Sequence, residues 1–202
     1  MKILLTGGSS GVGKELKNLL SSQHNVTCPT RSELDLSDVS SVVGYVTDAY
    51  DMLVNCAGTD IGGKIDFVHH NTGHVQEILQ VNFISALLLV QQVLRTNPKC
   101  KIINITSTNN NRYWPNDLAY SLSKKCLETF GDMLLIEYPD MRYLEVRLGL
   151  TKTSFNDNRY KQEQERFQDI YSTNKHLLPT DVAQKILDIA FDDRIKFIEI
   201  SP

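Results

Sequence analysis

The chain of 202 residues predicts an α/β fold, a doubly wound parallel sheet of six or seven strands with helices on both faces. Short apolar runs rich in β-branched residues alternate with longer stretches of helical period. A strand followed by such a crossover pairs parallel with its neighbour. The strand runs are apolar nearly throughout, as strands covered on both faces require. A glycine-rich turn joins the first run to the first helical stretch.

Ile3–Thr6 reads as the first strand, and the turn after it opens a helix at about Gly13–Ser21. Asn25–Cys28 is the second strand and ends in Pro29-Thr30-Arg31. Helical period returns over Ser37–Tyr50, ahead of the buried strand Met52–Asn55. Thr72–Arg95 reads as one long helix, followed by the strand Lys101–Thr106, the helix Leu118–Tyr138 and the strand Tyr143–Leu148. The last helix, Thr180–Phe191, has Thr180 or Asp181 available as a cap, and Lys196–Ile200 closes the sheet. Thr153–Leu178 stands apart as a polar, charged insertion with a helix expected over Arg159–Ile170. It follows a strand's carboxyl end, where α/β folds bind their ligands, so it is expected to act as a lid. No repeat or linker interrupts the pattern, and residues 1–202 are expected to form a single domain.

The composition, 41% hydrophobic and 22% charged, excludes a disordered or fibrous chain. With 21 basic against 24 acidic residues the net charge is −3, which argues against a nucleic-acid or membrane-surface binder. The longest apolar run, Ile84–Val90, falls well short of the ~20 residues of a membrane span. Cys28, Cys56, Cys100 and Cys126 form no ligand or redox motif, and Met1-Lys2 is followed at once by strand residues. Reduced thiols in the cytoplasm are the expectation.

Thr6-Gly7-Gly8-Ser9-Ser10-Gly11-Val12-Gly13 lets backbone approach a diphosphate, which would sit on the positive N-terminus of the first helix. Tyr120 and Lys124 are one helical turn apart and share a face. A nearby ammonium favours tyrosinate, so Lys124 is expected to lower the Tyr120 pKa toward neutrality and equip it for proton exchange with a carbonyl or alcohol. Ser107, at a strand's carboxyl end, is placed to hydrogen-bond the same oxygen.

The spacing Gly-x-x-x-Gly-x-Gly after Thr6 resembles the short-chain dehydrogenase/reductase family, and further motifs follow in the family's order. Asn55-Cys56-Ala57-Gly58 looks like its Asn-Asn-Ala-Gly, with Cys at the second position. Asn82 stands in the long helix where the family has an active-site Asn. Tyr120 follows Ser107 by thirteen positions and begins Tyr-x-x-x-Lys. Arg147-Leu148-Gly149-Leu150-Thr151-Lys152-Thr153 resembles Pro-Gly-x-x-x-Thr, with Leu148 replacing proline. The resemblance implies a Rossmann-type fold and a nicotinamide dinucleotide cofactor. Asn82, Ser107, Tyr120 and Lys124 would be the catalytic residues, with Asn82 supporting a proton relay. Gly7, Ser9, Ser10, Gly11, Val12, Gly13, Asn55, Ala57, Gly58, Tyr120, Lys124, Gly149, Thr151 and Thr153 would hold the cofactor.

Glu33 and Asp35 lie about where a carboxylate would grip the NAD ribose, yet the second strand has no carboxylate at its tip. Arg31 instead fits the family's 2′-phosphate partner, and Asp35-Leu36 resembles the pair beside the adenine, which favours NADP(H) over NAD(H). The four positions from Arg31 to Asp35 are too few for a parallel crossover, so one edge strand is expected to be lost or shortened, leaving six.

His70 and His74 have i, i+4 spacing, but with no acidic third ligand no metal site is expected. Tyr113 and Trp114 are expected either to wall a substrate pocket or to cover the core. Helices 72–95 and 118–138 are those that many family members pair across a two-fold axis, so a homodimer or homotetramer is expected. The resulting function is hydride transfer between NADP(H) and a small carbonyl or alcohol. A dinucleotide-binding sensor or scaffold, and an epimerase or dehydratase of nucleotide sugars, are the alternatives.

Overall fold

The computed structural model describes residues 1–112, 114–159 and 170–202. Six strands, β1 (Lys2–Thr6), β2 (Asn25–Thr27), β3 (Met52–Asn55), β4 (Lys101–Ser107), β5 (Tyr143–Leu148) and β6 (Phe197–Ile200), form one parallel sheet in the order β2-β1-β3-β4-β5-β6. The helices are α1 (Gly11–Ser21), α2 (Val39–Val42), α3 (Thr72–Leu79), α4 (Ser85–Thr96), α5 (Leu118–Glu137), α6 (Ser154–Arg159) and α7 (Pro179–Ala190).

Alternation along each strand divides the core between two faces. Ile3 and Leu5 of β1 point to the side where Val12, Leu16 and Leu20 of α1 lie beside Val182, Ala183 and Ile186 of α7. Leu4 points to the other side, where Leu89, Val90 and Val93 of α4 pack with Leu34, Val42, Val46 and Tyr50. Both faces being covered explains why the strands read as unbroken apolar runs.

The sheet ends at β2, as the short Arg31–Asp35 spacing requires. The expected helix over Ser37–Tyr50 shrinks to the single turn α2. Asp38 caps it by accepting from the Ser40 N–H, and Gly44 at φ +79° turns the chain out of helical geometry directly after it. Val46 and Tyr50 then bury without a helix, so burial produced the apolar pattern there.

The long helix runs from Thr72 to Thr96 but is interrupted by a π turn at Gln80–Ile84. By length and composition Thr72–Thr96 could cross a bilayer, although its apolar residues form no single run. In this fold Leu89, Val90 and Val93 pack on the sheet, and Asn82 and Ser85 are buried inside the protein. The insertion leaves and returns at one point, where Thr151 and Leu177 form a parallel bridge. Its expected helix over Arg159–Ile170 lies outside the described residues apart from its two ends, and Tyr113 lies outside them too.

Order along the sheet reverses at β1, with β2 on one side and β3 on the other. Connections therefore leave the tips of β1 and β3 in opposite directions and open a crevice between them, the usual ligand site of such sheets.

Helix α5 crosses β5 at Gly131, where an added Cβ would lie 1.9 Å from the Tyr143 hydroxyl. That hydroxyl accepts a hydrogen bond from Asn104 Nδ2 at 3.2 Å, deep in the core. Helix propensity favours Gly131→Ala by ~1 kcal/mol, but overpacking costs ~1–3 kcal/mol and the tyrosine would lose its partner. The variant is expected to be destabilised by ~1–2 kcal/mol, read from the urea midpoint.

Candidate active site

The crevice is held together by Thr6. Its Oγ1 accepts the N–H groups of Cys56 and Ala57, both at 3.2 Å, and so joins the tip of β1 to the turn after β3. Gly7, at φ +75°, lies so close that a Cβ would sit 2.7 Å from Ala57 Cα. Gly13 lets α1 settle on the turn, since a Cβ there would lie 2.2 Å from the Gly7 carbonyl oxygen. The first turn of α1 carries no acidic residue, and Ser10 at its N-cap makes no side-chain capping bond. This helix end is therefore electropositive and suited to a diphosphate.

Tyr120 and Lys124 rise from α5 toward Ser107 at the tip of β4, and all three are nearly fully buried. Lys124 Nζ donates to the Ile105 carbonyl at 3.0 Å. Burial lowers the Lys124 pKa to about 8, with the nearby Cys56 acting in the opposite sense. The Cys56 thiol is itself pushed up to about 11 by burial.

Tyr120 departs from expectation. Burial raises its pKa to about 12, and this outweighs the lowering by Arg159 and by the hydrogen bond to Ser107. The cation over its ring is Arg159, whose guanidinium carbon lies 5.0 Å from the ring centroid.

Asn82, set by the π turn, lies behind the crevice wall. Its Oδ1 accepts the Thr59 N–H at 2.7 Å, and its Nδ2 donates to the Thr59 carbonyl and to Ser123 Oγ, both at 2.9 Å. Ser123 in turn donates to the Tyr120 carbonyl at 2.7 Å. A Cβ on Gly58 would lie 3.4 Å from both Asn82 Oδ1 and Lys124 Nζ, which places this glycine directly beside both side chains.

One cleft of about 1050 Å³ is lined by Gly7, Ser9, Ser10, Gly11, Val12, Gly13, Arg31, Asp35, Leu36, Ala57, Gly58, Ser107, Tyr120, Lys124, Gly149, Thr151 and Thr153. Trp114, half exposed, lines it as well. Asn55 is brought elsewhere. It is buried in the sheet, with Nδ2 donating to Asn104 Oδ1 at 2.9 Å, and does not line the cleft. At the far end Arg31 is exposed and bonds Asp35 at 3.4 Å and Ser37 Oγ at 3.2 Å, with Glu77 at 3.7 Å. Glu33 turns away to Thr30, whose N–H it accepts at 2.7 Å.

Residues 22–164 match the family model described as short chain dehydrogenase. The chain belongs to the short-chain dehydrogenase family. The NADP-dependent 3-hydroxy acid dehydrogenase of Schizosaccharomyces pombe is 25% identical, over 92% of this chain and 85% of its own. The 3-ketodihydrosphingosine reductase of Bacteroides thetaiotaomicron is 29% identical over 78% of this chain and 66% of its own length. Among solved structures, a small-chain dehydrogenase in complex with NADPH superposes with a TM-score of 0.86 at 22% identity, covering 100% of this chain and 96% of that one.

The family motifs did not reveal Arg159, Asp60 and Asp117. Arg159 forms ion pairs with both carboxylates, 2.8 Å from Asp60 through Nε and with Asp117 through Nη2. These residues are too far apart in sequence to form a pattern, and only the expectation that Thr153–Leu178 covers the site pointed toward Arg159. Among the described residues no cluster of three or more His, Cys, Asp or Glu is set to hold a metal ion.

Lys124 has a folded pKa of about 8 against an ordinary 10.5. Between those values the unfolded chain binds more protons, so this group makes folding more favourable as pH rises and opposes it fully below pH 8. Lys124→Met is therefore expected to be at least as stable as the parent at pH 7, by up to ~2–3 kcal/mol. That difference should narrow toward pH 10.5 in urea titrations.

Proposed function

We propose that this short-chain dehydrogenase is an NADP(H)-dependent oxidoreductase that interconverts a carbonyl and an alcohol. The observation that carries this reading is the convergence of Ser107, Tyr120 and Lys124 on the wall of the cleft that the glycine turn opens. A dinucleotide fits there: the glycine backbone and the start of α1 would take its diphosphate, and Ala57, Gly58, Thr151 and Thr153 would flank it. Arg31 would meet a 2′-phosphate, with Asp35 and Leu36 beside the adenine. Bound nicotinamide supplies or accepts the hydride. Lys124 is placed to hold the adjoining ribose.

Ser107 orients the substrate oxygen. Tyr120 passes its phenolic proton to that oxygen during reduction and takes it back during oxidation. The Tyr120 pKa of about 12 makes the phenol the resting form, the state that carbonyl reduction requires. Asn82 fixes the Thr59 backbone and Ser123 behind Lys124, and so supports the relay from within the wall. A buried tyrosine paired with Ser107 beside a buried lysine serves proton transfer and adds nothing that dinucleotide binding alone requires, which favours enzyme over sensor. The insertion Thr153–Leu178 is short for gripping a nucleotide sugar. The names of the two relatives, a hydroxy acid dehydrogenase and a keto reductase, point to the same reaction type.

Turnover is read by NADPH oxidation across a panel of ketones, aldehydes and 3-oxo acids. Tyr120→Phe is expected to lose ~10²–10⁴-fold in turnover while binding NADPH with unchanged affinity by calorimetry. Full activity in that variant would refute the mechanism.

We also propose that α4 and α5 pair two copies of the chain. Leu122, Met133 and Ile136 of α5 and Ile84 at the start of α4 are exposed large apolar residues, which supports this pairing. Sedimentation velocity at micromolar concentration is expected to show a dimer or tetramer, and a monomer would exclude it.

A further inference from the structure

Tyr120 is enclosed by groups from four parts of the chain. Ser107 reaches it from the tip of β4 and Lys124 follows it by one turn on α5. On the insertion side the Phe155 ring packs 5.5 Å away between centroids, and the Arg159 guanidinium lies 5.0 Å from the ring centre. Behind that guanidinium stand Asp60, from the loop after β3, and Asp117, at the N-cap of α5. The three charged side chains are 8%, 3% and 0% exposed. Lys64 and His70 act on Asp60 in turn, and Asn109 donates to Asp117.

A buried guanidinium between two buried carboxylates is a costly way to fasten a surface segment, because apolar replacements of equal volume often leave a fold as stable or more so. What apolar residues could not do is place charge against a phenol. The cation faces the ring, while the carboxylates paired with it offset its field. In a poorly solvated site such opposed charges are screened less than they would be in water.

We propose that Arg159, seated between Asp60 and Asp117, is a positioning residue that holds α6 across Tyr120 and fixes the charge balance at its phenol. This inference rests on the reading of Tyr120 as the proton donor and acceptor. Arg159 favours the phenolate, and the two aspartates limit how much of its charge the phenol feels. Desolvation raises Asp60 itself to about 6, so its own protonation would remove part of that offset in mild acid. Ser107 contributes through its hydrogen bond. The insertion therefore brings a cation directly over the ring of the reacting tyrosine.

The test is an NMR titration of the full chain labelled at tyrosine Cζ, with the Tyr120 signal assigned by its absence in Tyr120→Phe. Asp60→Asn keeps the side chain's shape and removes one negative charge, so Tyr120 is expected to titrate about one pH unit lower. Arg159→Met removes the cation and is expected to raise the midpoint by about one unit, whereas Arg159→Lys moves it less. An unmoved midpoint in Asp60→Asn, or a raised one, overturns the proposal, and this variant decides alone if Arg159→Met fails to fold. Because the readout needs no substrate, full turnover by Tyr120→Phe would refute the proposed function without altering this result.

Discussion

The molecule depends on the close approach of two backbones at the point where strand order reverses. Thr6 Oγ1 takes both N–H groups of the turn after β3, and Gly7 lies against Ala57 at a distance no Cβ would permit. The tips of β1 and β3 are thereby joined into one floor. At Gly7, Gly8 and Gly11 the floor has no side chain to interpose, so backbone and the start of α1 face the cleft. The Gly13–Gly7 contact sets α1 on the same floor, and Gly11 against Thr153 brings the strand β5 exit alongside.

Above the floor the controlling quantity is desolvation. It lowers Lys124, raises Tyr120 and Cys56, and acts on each more strongly than any single neighbour. Each charged group there is held by a geometric partner: Lys124 by the Ile105 carbonyl, Arg159 by two carboxylates. Stability is spent to keep reactive groups in place, as is usual where chemistry is done.

The fold was legible because strand burial, crossover length and the glycine turn each left a local signature. Even the missing edge strand could be read, from four positions between Arg31 and Asp35. Ser37–Tyr50 misled because burial alone can imitate helical period: Val42, Val46 and Tyr50 are spaced at four residues, while Gly44 breaks the backbone between them. At the site, Tyr120 and Lys124 were legible as a spacing on one helix, and Ser107 as the end of the strand before it. Asn55 was misplaced because its motif names a position and not the direction in which the side chain points; it serves the sheet through Asn104. The effect of Arg159 on Tyr120 was beyond sequence reading, since it depends on three loops meeting in space. The expected lowering of Tyr120 failed for a different reason, since burial outweighs its charged neighbours.

The bridge between Thr151 and Leu177 has a consequence for how this molecule can change. Backbone bonds from Lys152 and Leu177 hold the two ends of the insertion together, independent of what lies between. The entropy of closing a loop between fixed ends grows only with the logarithm of its length, ~0.6 kcal/mol for each doubling. The insertion can thus change length beyond α6 at little entropic cost, while the Arg159 end, tied to Asp60 and Asp117, stays where the tyrosine needs it.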